Sequence, residues 1–76
     1  MPHVIVKMAA GRTDAEKGAL AQALAQVLME RLSCTEDQIS IAVQDIKPGD
    51  WKPTVYLPDI LGHPELLFKK PNYQLD

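Results

Sequence analysis

The chain contains one cysteine, Cys34, so no disulfide forms within it. Its two histidines, His3 and His63, lie far apart with no ligand-type spacing around them, which argues against a structural zinc. The net charge is −2 and no basic cluster exceeds Lys69-Lys70, so nucleic acid is disfavoured as a partner. No apolar run approaches the roughly 20 residues a membrane span requires. No charged segment followed by an apolar stretch marks the N-terminus for export, and a lone cysteine suits a reducing cytoplasm.

These absences leave a stability deficit. A chain of 76 residues buries only about 60% of its unfolded surface, and apolar burial set against ordering entropy comes out near zero at this size. With a disulfide excluded and a metal disfavoured, a second copy of the chain is the remaining source of stability. The 46% hydrophobic content fits a chain that buries surface against itself. The expectation is one domain, residues 1–76, completed by self-association.

Residues His3 to Met8 are β-branched and apolar with no helical stripe, and predict a strand. Pro2 then stands at the strand's first position, where its missing N–H disturbs no ladder. After the turn Ala9-Ala10-Gly11-Arg12, the segment Thr13-Asp14-Ala15-Glu16 reads as a capping box, with Asp14 suiting the positive end of a helix dipole. The helix should run from Asp14 to about Leu32, with Leu20, Leu24, Val27, Leu28 and Leu32 on one stripe. Gly18 is a weak point within it. Residues 33–37 read as a loop with room for one helical turn. Gln38 to Ile46 alternates as a second strand, with Ile39, Ile41 and Val43 on one side and Ser40, Ala42 and Gln44 on the other.

Strand, helix and strand joined by short connections define a β-α-β unit with parallel strands, an α/β (α+β) fold. Beyond Lys47 the chain changes character, because five of its six prolines fall there. Short helical pieces and loops are expected, with a last helix from Pro64 to Lys70 ended by Pro71. Two strands alone are marginal in water and leave both edges open. This is a second, independent argument for self-association.

Pro2, the strand behind it, Gly11-Arg12-Thr13-Asp14 opening a long helix, Ile39-Ser40-Ile41-Ala42-Val43 and the aromatic Trp51 come in an order and spacing that resemble the 4-oxalocrotonate tautomerase family. The resemblance covers roughly residues 2–51. It implies a β-α-β core that assembles as dimers or hexamers and uses an N-terminal proline as base. The end of the chain, Lys69-Lys70-Pro71-Asn72-Tyr73, resembles a longer, dimeric branch, which favours a homodimer over a hexamer. The founding pattern has an arginine at the position of Ser40. A short neutral side chain there places the founding diacid substrate in doubt.

The chemistry follows from those residues. Moving a proton between an enol oxygen and the neighbouring carbon needs one base over the substrate face, with a pKa near the working pH. The nitrogen of Pro2, freed by removal of Met1, is the candidate. An α-amino group titrates near 7.7–8.0, burial and nearby cations lower that value, and the ring fixes the nitrogen's direction. Apart from the resemblance, Pro2 simply permits methionine removal and starts an edge strand. Arg12 is the candidate carboxylate ligand through its planar, two-donor guanidinium; otherwise it is a solvated cation before a helix. Trp51 would wall off the site, or act only as a core or interface anchor. Ser40 would donate to a substrate carbonyl, or serve only as the sheet face beneath. His3 reads as a partly exposed or interface histidine, and Lys70 and Tyr73 either reach a partner's site or form a solvated terminus.

The expected activity is a cofactor-free keto–enol tautomerase acting on a 2-oxo or enol acid. Two alternatives stand beside it. One is a hydratase or dehalogenase in which a cationic proline acts as acid and a carboxylate such as Asp45 or Asp50 activates water. The other is an oligomeric binding module without turnover.

Overall fold

The computed structural model describes all 76 residues. Strand β1 spans His3–Ala9, helix α1 spans Asp14–Leu32 and strand β2 spans Ser40–Ile46. The two strands pair in parallel, from His3 opposite Ser40 to Ala9 opposite Ile46. The turn into α1 needs Gly11, whose φ of 128° lies where side chains are rarely tolerated. Thr13 caps the helix as the sequence predicts. Its hydroxyl accepts from the Glu16 amide at 3.1 Å, and its own amide donates to the Glu16 carboxylate at 3.0 Å. Helix α1 ends at Ser33, which takes a left-handed conformation with φ 55° and donates its N–H to the Met29 carbonyl.

The Thr13 amide, then the Thr13 hydroxyl and more weakly Arg12 hold the Glu16 carboxyl below its ordinary range. A lowered carboxylate pKa contributes stability that is present above the unfolded value, near 4.5, and is lost as pH falls through the folded value. Thr13→Ala is expected to cost about 1 kcal/mol at neutral pH. Chemical denaturation should show this as a lower midpoint with an unchanged slope.

One face of the sheet lies under α1. Lys17 of α1 donates to Asp45 of β2 at 2.5 Å, which fixes Asp45 on the helix side. The alternation of a strand puts Ile41 and Val43 on that side, and Ser40, Ala42 and Gln44 on the open side. The helix turns Lys17, Leu20, Ala21, Leu24, Ala25, Leu28 and Met29 inward, all of them partly covered and none fully buried. The predicted stripe is corrected in two places: Val27 is 51% and Leu32 58% exposed. Ala21 and Ala25 take their places, because a face of 3.6 periodicity passes through i+4 positions that small side chains fill.

Three further predictions are corrected. Strand β2 begins at Ser40 rather than Gln38, because Glu36–Gln38 forms a 3₁₀ turn. The proposed last helix, residues 64–70, shortens to a single 3₁₀ turn at Pro64–Leu66, and Phe68 stands fully exposed. With no surface to pack against, a segment this short does not hold a helix. The third is a ten-residue π-helix, Lys52–Leu61, containing Pro58. A proline ring inside an α-helix clashes with the carbonyl four residues earlier; the wider π winding moves that carbonyl aside. Gly62 closes the element, and a Cβ there would sit 2.4 Å from the Pro58 carbonyl oxygen. Asp59 of the π-helix pairs with Lys7 of β1, whose register partner Gln44 lies on the open face of the sheet.

Little is enclosed. Only Val55 and Tyr56 are buried. The chain exposes 5956 Å², whereas a folded monomer of 8.4 kDa exposes about 4600 Å². Its radius of gyration is 14.0 Å, against about 11 Å for a compact chain of this length. Both values exceed those of a compact monomer of this size. No helix is long and apolar enough to cross a membrane.

Candidate active site

The structure sorts the predicted site residues into two groups at opposite ends of the sheet. Pro2 precedes β1 and is half-buried, and its carbonyl accepts the Ser40 amide at 3.2 Å. This bond fixes the proline against the start of β2. Ser40 lies on the open face, and its Oγ is 2.6 Å from the Nδ1 of His3, its register partner. His3 is exposed, as expected of it, but its ring meets Ser40, a contact the residue-by-residue reading missed. The sequence reading, which started the second strand at Gln38, did not set this register; the pairing of His3 with Ser40 puts the two side by side on one face.

Arg12 and Trp51 lie at the other end. Arg12 follows the C-terminal end of β1 and Trp51 follows that of β2. The strand between Pro2 and Arg12 accounts for roughly 20 Å at about 3.3 Å per residue. Arg12 is exposed, while Trp51 is half-buried and donates its indole N–H to the Tyr73 hydroxyl at 3.1 Å. Tyr73 in turn packs on Tyr56, with ring centroids 5.8 Å apart, so the end of the chain is tied to the π-helix.

The two cavities of the chain hold none of Pro2, Arg12, Ser40 and Trp51. One, of about 250 Å³, lies between the π-helix and the C-terminal tail and is lined by Tyr56, Ile60, Leu67, Lys70 and Tyr73 among others. The other, of about 290 Å³, lies between α1 and β2 beside Ala21, Ala25, Ile39 and Ile41. A single chain therefore displays the predicted site residues without enclosing a pocket around them. Asp45, a possible water-activating carboxylate, faces α1 in its pair with Lys17 and so lies on the opposite side of the sheet from Ser40. Cys34 is half-buried, its thiol 3.6 Å from the Leu28 carbonyl.

The family described as "Tautomerase enzyme" matches residues 2–56. A probable tautomerase of Xylella fastidiosa (strain 9a5c) is 44% identical over 73 residues, covering 96% of this chain and 89% of that protein. Tautomerase PptA of Pectobacterium carotovorum subsp. carotovorum (strain PC1) is 39% identical over 74 residues, covering 96% and 97%. Among solved structures, YwhB, a homologue of 4-oxalocrotonate tautomerase, superposes with a TM-score of 0.59 at 30% identity over 60% of this chain and 75% of its own. A structure from a study of the 4-oxalocrotonate tautomerase isozymes of Methylibium petroleiphilum gives 0.64 at 22% identity, covering 66% and 81%. The chain belongs to the 4-oxalocrotonate tautomerase family. It is an enzyme, an isomerase of the tautomerase type.

Proposed function

We propose that the chain is a cofactor-independent keto–enol tautomerase of a 2-oxo or enol acid, with the nitrogen of Pro2 as its base. Met1 precedes Pro2 and is 95% exposed, open to the aminopeptidase that would free that nitrogen. The base takes the proton of the enol hydroxyl and returns one to the adjacent carbon. The C–O bond becomes C=O as the C=C bond becomes C–C. Ser40 donates to the substrate oxygen, Arg12 grips the carboxylate through two parallel hydrogen bonds, and Trp51 shields the site from water.

The observation that carries this reading is the separation of Pro2 and Ser40 from Arg12 and Trp51. Two copies related by a two-fold axis, with their strands running in opposite directions, set the Pro2 end of one against the Arg12 end of the other. The exposed sheet and its open edges supply the surface for such pairing. Each site is then shared, and the partner's cation beside the Pro2 nitrogen favours its neutral, basic form. A homodimer is the smallest assembly that meets these demands.

The test is a panel of arylenolpyruvates and their methyl esters, assayed with protein whose free N-terminal proline has been verified by mass spectrometry. Ketonisation of the acids, at least tenfold faster than of the esters, is expected. Equal rates for acid and ester would remove Arg12 from the role of carboxylate ligand, and no acceleration of either would remove the tautomerase reading of these substrates.

A further inference from the structure

The contact between His3 and Ser40 is unassigned by this scheme. The two residues are register partners at the head of the sheet, on its open face, next to the Pro2 carbonyl that pairs with the Ser40 amide. Their side chains meet at 2.6 Å between Nδ1 and Oγ. Two proton arrangements fit that distance. In one the Ser40 hydroxyl donates to an unprotonated Nδ1, which turns the serine's lone pairs toward any bound substrate. In the other Nδ1 carries the hydrogen and donates to Oγ, which frees the hydroxyl hydrogen for a substrate oxygen. Only the second arrangement stabilises an enolate, because developing negative charge needs a donor aimed at it. A donor that is itself receiving a hydrogen bond is polarised and donates more strongly.

Resting on the tautomerase reading, we infer that His3 is a positioning residue that orients the Ser40 hydroxyl toward the substrate oxygen by donating from Nδ1 to Oγ. The imidazole and the hydroxyl together then occupy the place of a single fixed donor. The strengthened donation grows with the charge on the oxygen, so it acts on the transition state more than on the bound ground state. The consequence is an effect on kcat with little effect on KM.

The experiment is a cycle of four proteins: wild type, His3→Phe, Ser40→Ala and the double variant, with His3→Asn as a fifth. Both positions are exposed, and circular dichroism confirms the fold of each variant. His3→Phe is expected to lower kcat roughly tenfold, because the Ser40 hydroxyl, no longer oriented, loses its hydrogen bond to the charged substrate oxygen, with KM changed less than about twofold. In the Ser40→Ala background the same change should have no further effect. His3→Asn, whose amide nitrogen takes the place of Nδ1, should recover most of the rate. Equal losses in both backgrounds, or an asparagine variant as slow as the phenylalanine one, would overturn the inference. Nitrogen NMR of the wild-type imidazole gives a readout apart from turnover. With a saturated, unreactive 2-hydroxy acid bound, Nδ1 should be protonated, and an unprotonated Nδ1 in that complex would also overturn it. Pro2→Ala in the same assay keeps the two readings apart. A rate independent of Pro2 defeats the base role, whereas a Pro2-dependent rate with no coupling of His3 to Ser40 defeats only this one.

Discussion

Replacing Pro2 with alanine is expected to lower the ketonisation rate by roughly 10²- to 10⁴-fold, the range a positioned general base contributes, while the fold and assembly stay intact. The substitution is clean for three reasons. Alanine after Met1 still permits methionine removal, so the variant keeps a free amine. The bond from the Ser40 amide to the residue 2 carbonyl is a backbone bond and survives. Residue 2 precedes the first strand residue, so no ladder donor changes. What is lost is the ring. A primary amine on a freely rotating bond is no longer held over one face of the substrate, and proximity is a large share of what a positioned group supplies. Steady-state kinetics on an enol acid, with mass spectrometry of the N-terminus, checks this. An unchanged rate would show that the nitrogen is not the base.

The second large effect comes from mixing two inactive proteins. If each site takes Pro2 from one copy and Arg12 from another, Pro2→Ala and Arg12→Ala are each nearly inactive alone. Unfolded, mixed in equal amounts and refolded together, half of the dimers are hybrids. Each hybrid contains one site with both defects and one with neither. About a quarter of the wild-type activity should therefore return, a figure that follows from the two-fold symmetry of a closed dimer. A site built within one chain would give no recovery at all, because every chain carries a defect. The experiment tests the roughly 20 Å between the two residues along the strand as a functional fact.

Much of this fold was legible in the sequence, and the reasons are local. The capping box at Thr13 and Glu16 marked where α1 starts, because it needs only residues three apart. The β-branched runs marked both strands, and the short connections marked their parallel pairing. The reading failed where non-local packing decides. Val27 sits on the expected stripe yet faces outward, since periodicity says which residues share a side and not which side meets the sheet. The π-helix at Lys52–Leu61 escaped because proline announces that an α-helix is broken, not that a wider winding replaces it. The candidate residues Pro2, Arg12, Ser40 and Trp51 were chosen by their order along the chain, and their division between two ends of the sheet is a property of the register. The contact of His3 with Ser40 was likewise a matter of register, and no inspection of His3 alone contained it.

The near absence of enclosed residues bears on how the protein comes into being in a cell. With only Val55 and Tyr56 sheltered, a chain leaving the ribosome has a helix and a strand pair but almost no interior. On the shared-site reading it completes its structure by collision with another copy, a step whose rate rises with the square of the number of unpaired chains. Slow synthesis would leave most chains waiting and open to proteases, while rapid synthesis would let pairing outrun that loss. Active enzyme would then rise as the square of expression while chains are scarce, and in proportion to it once pairing outruns loss.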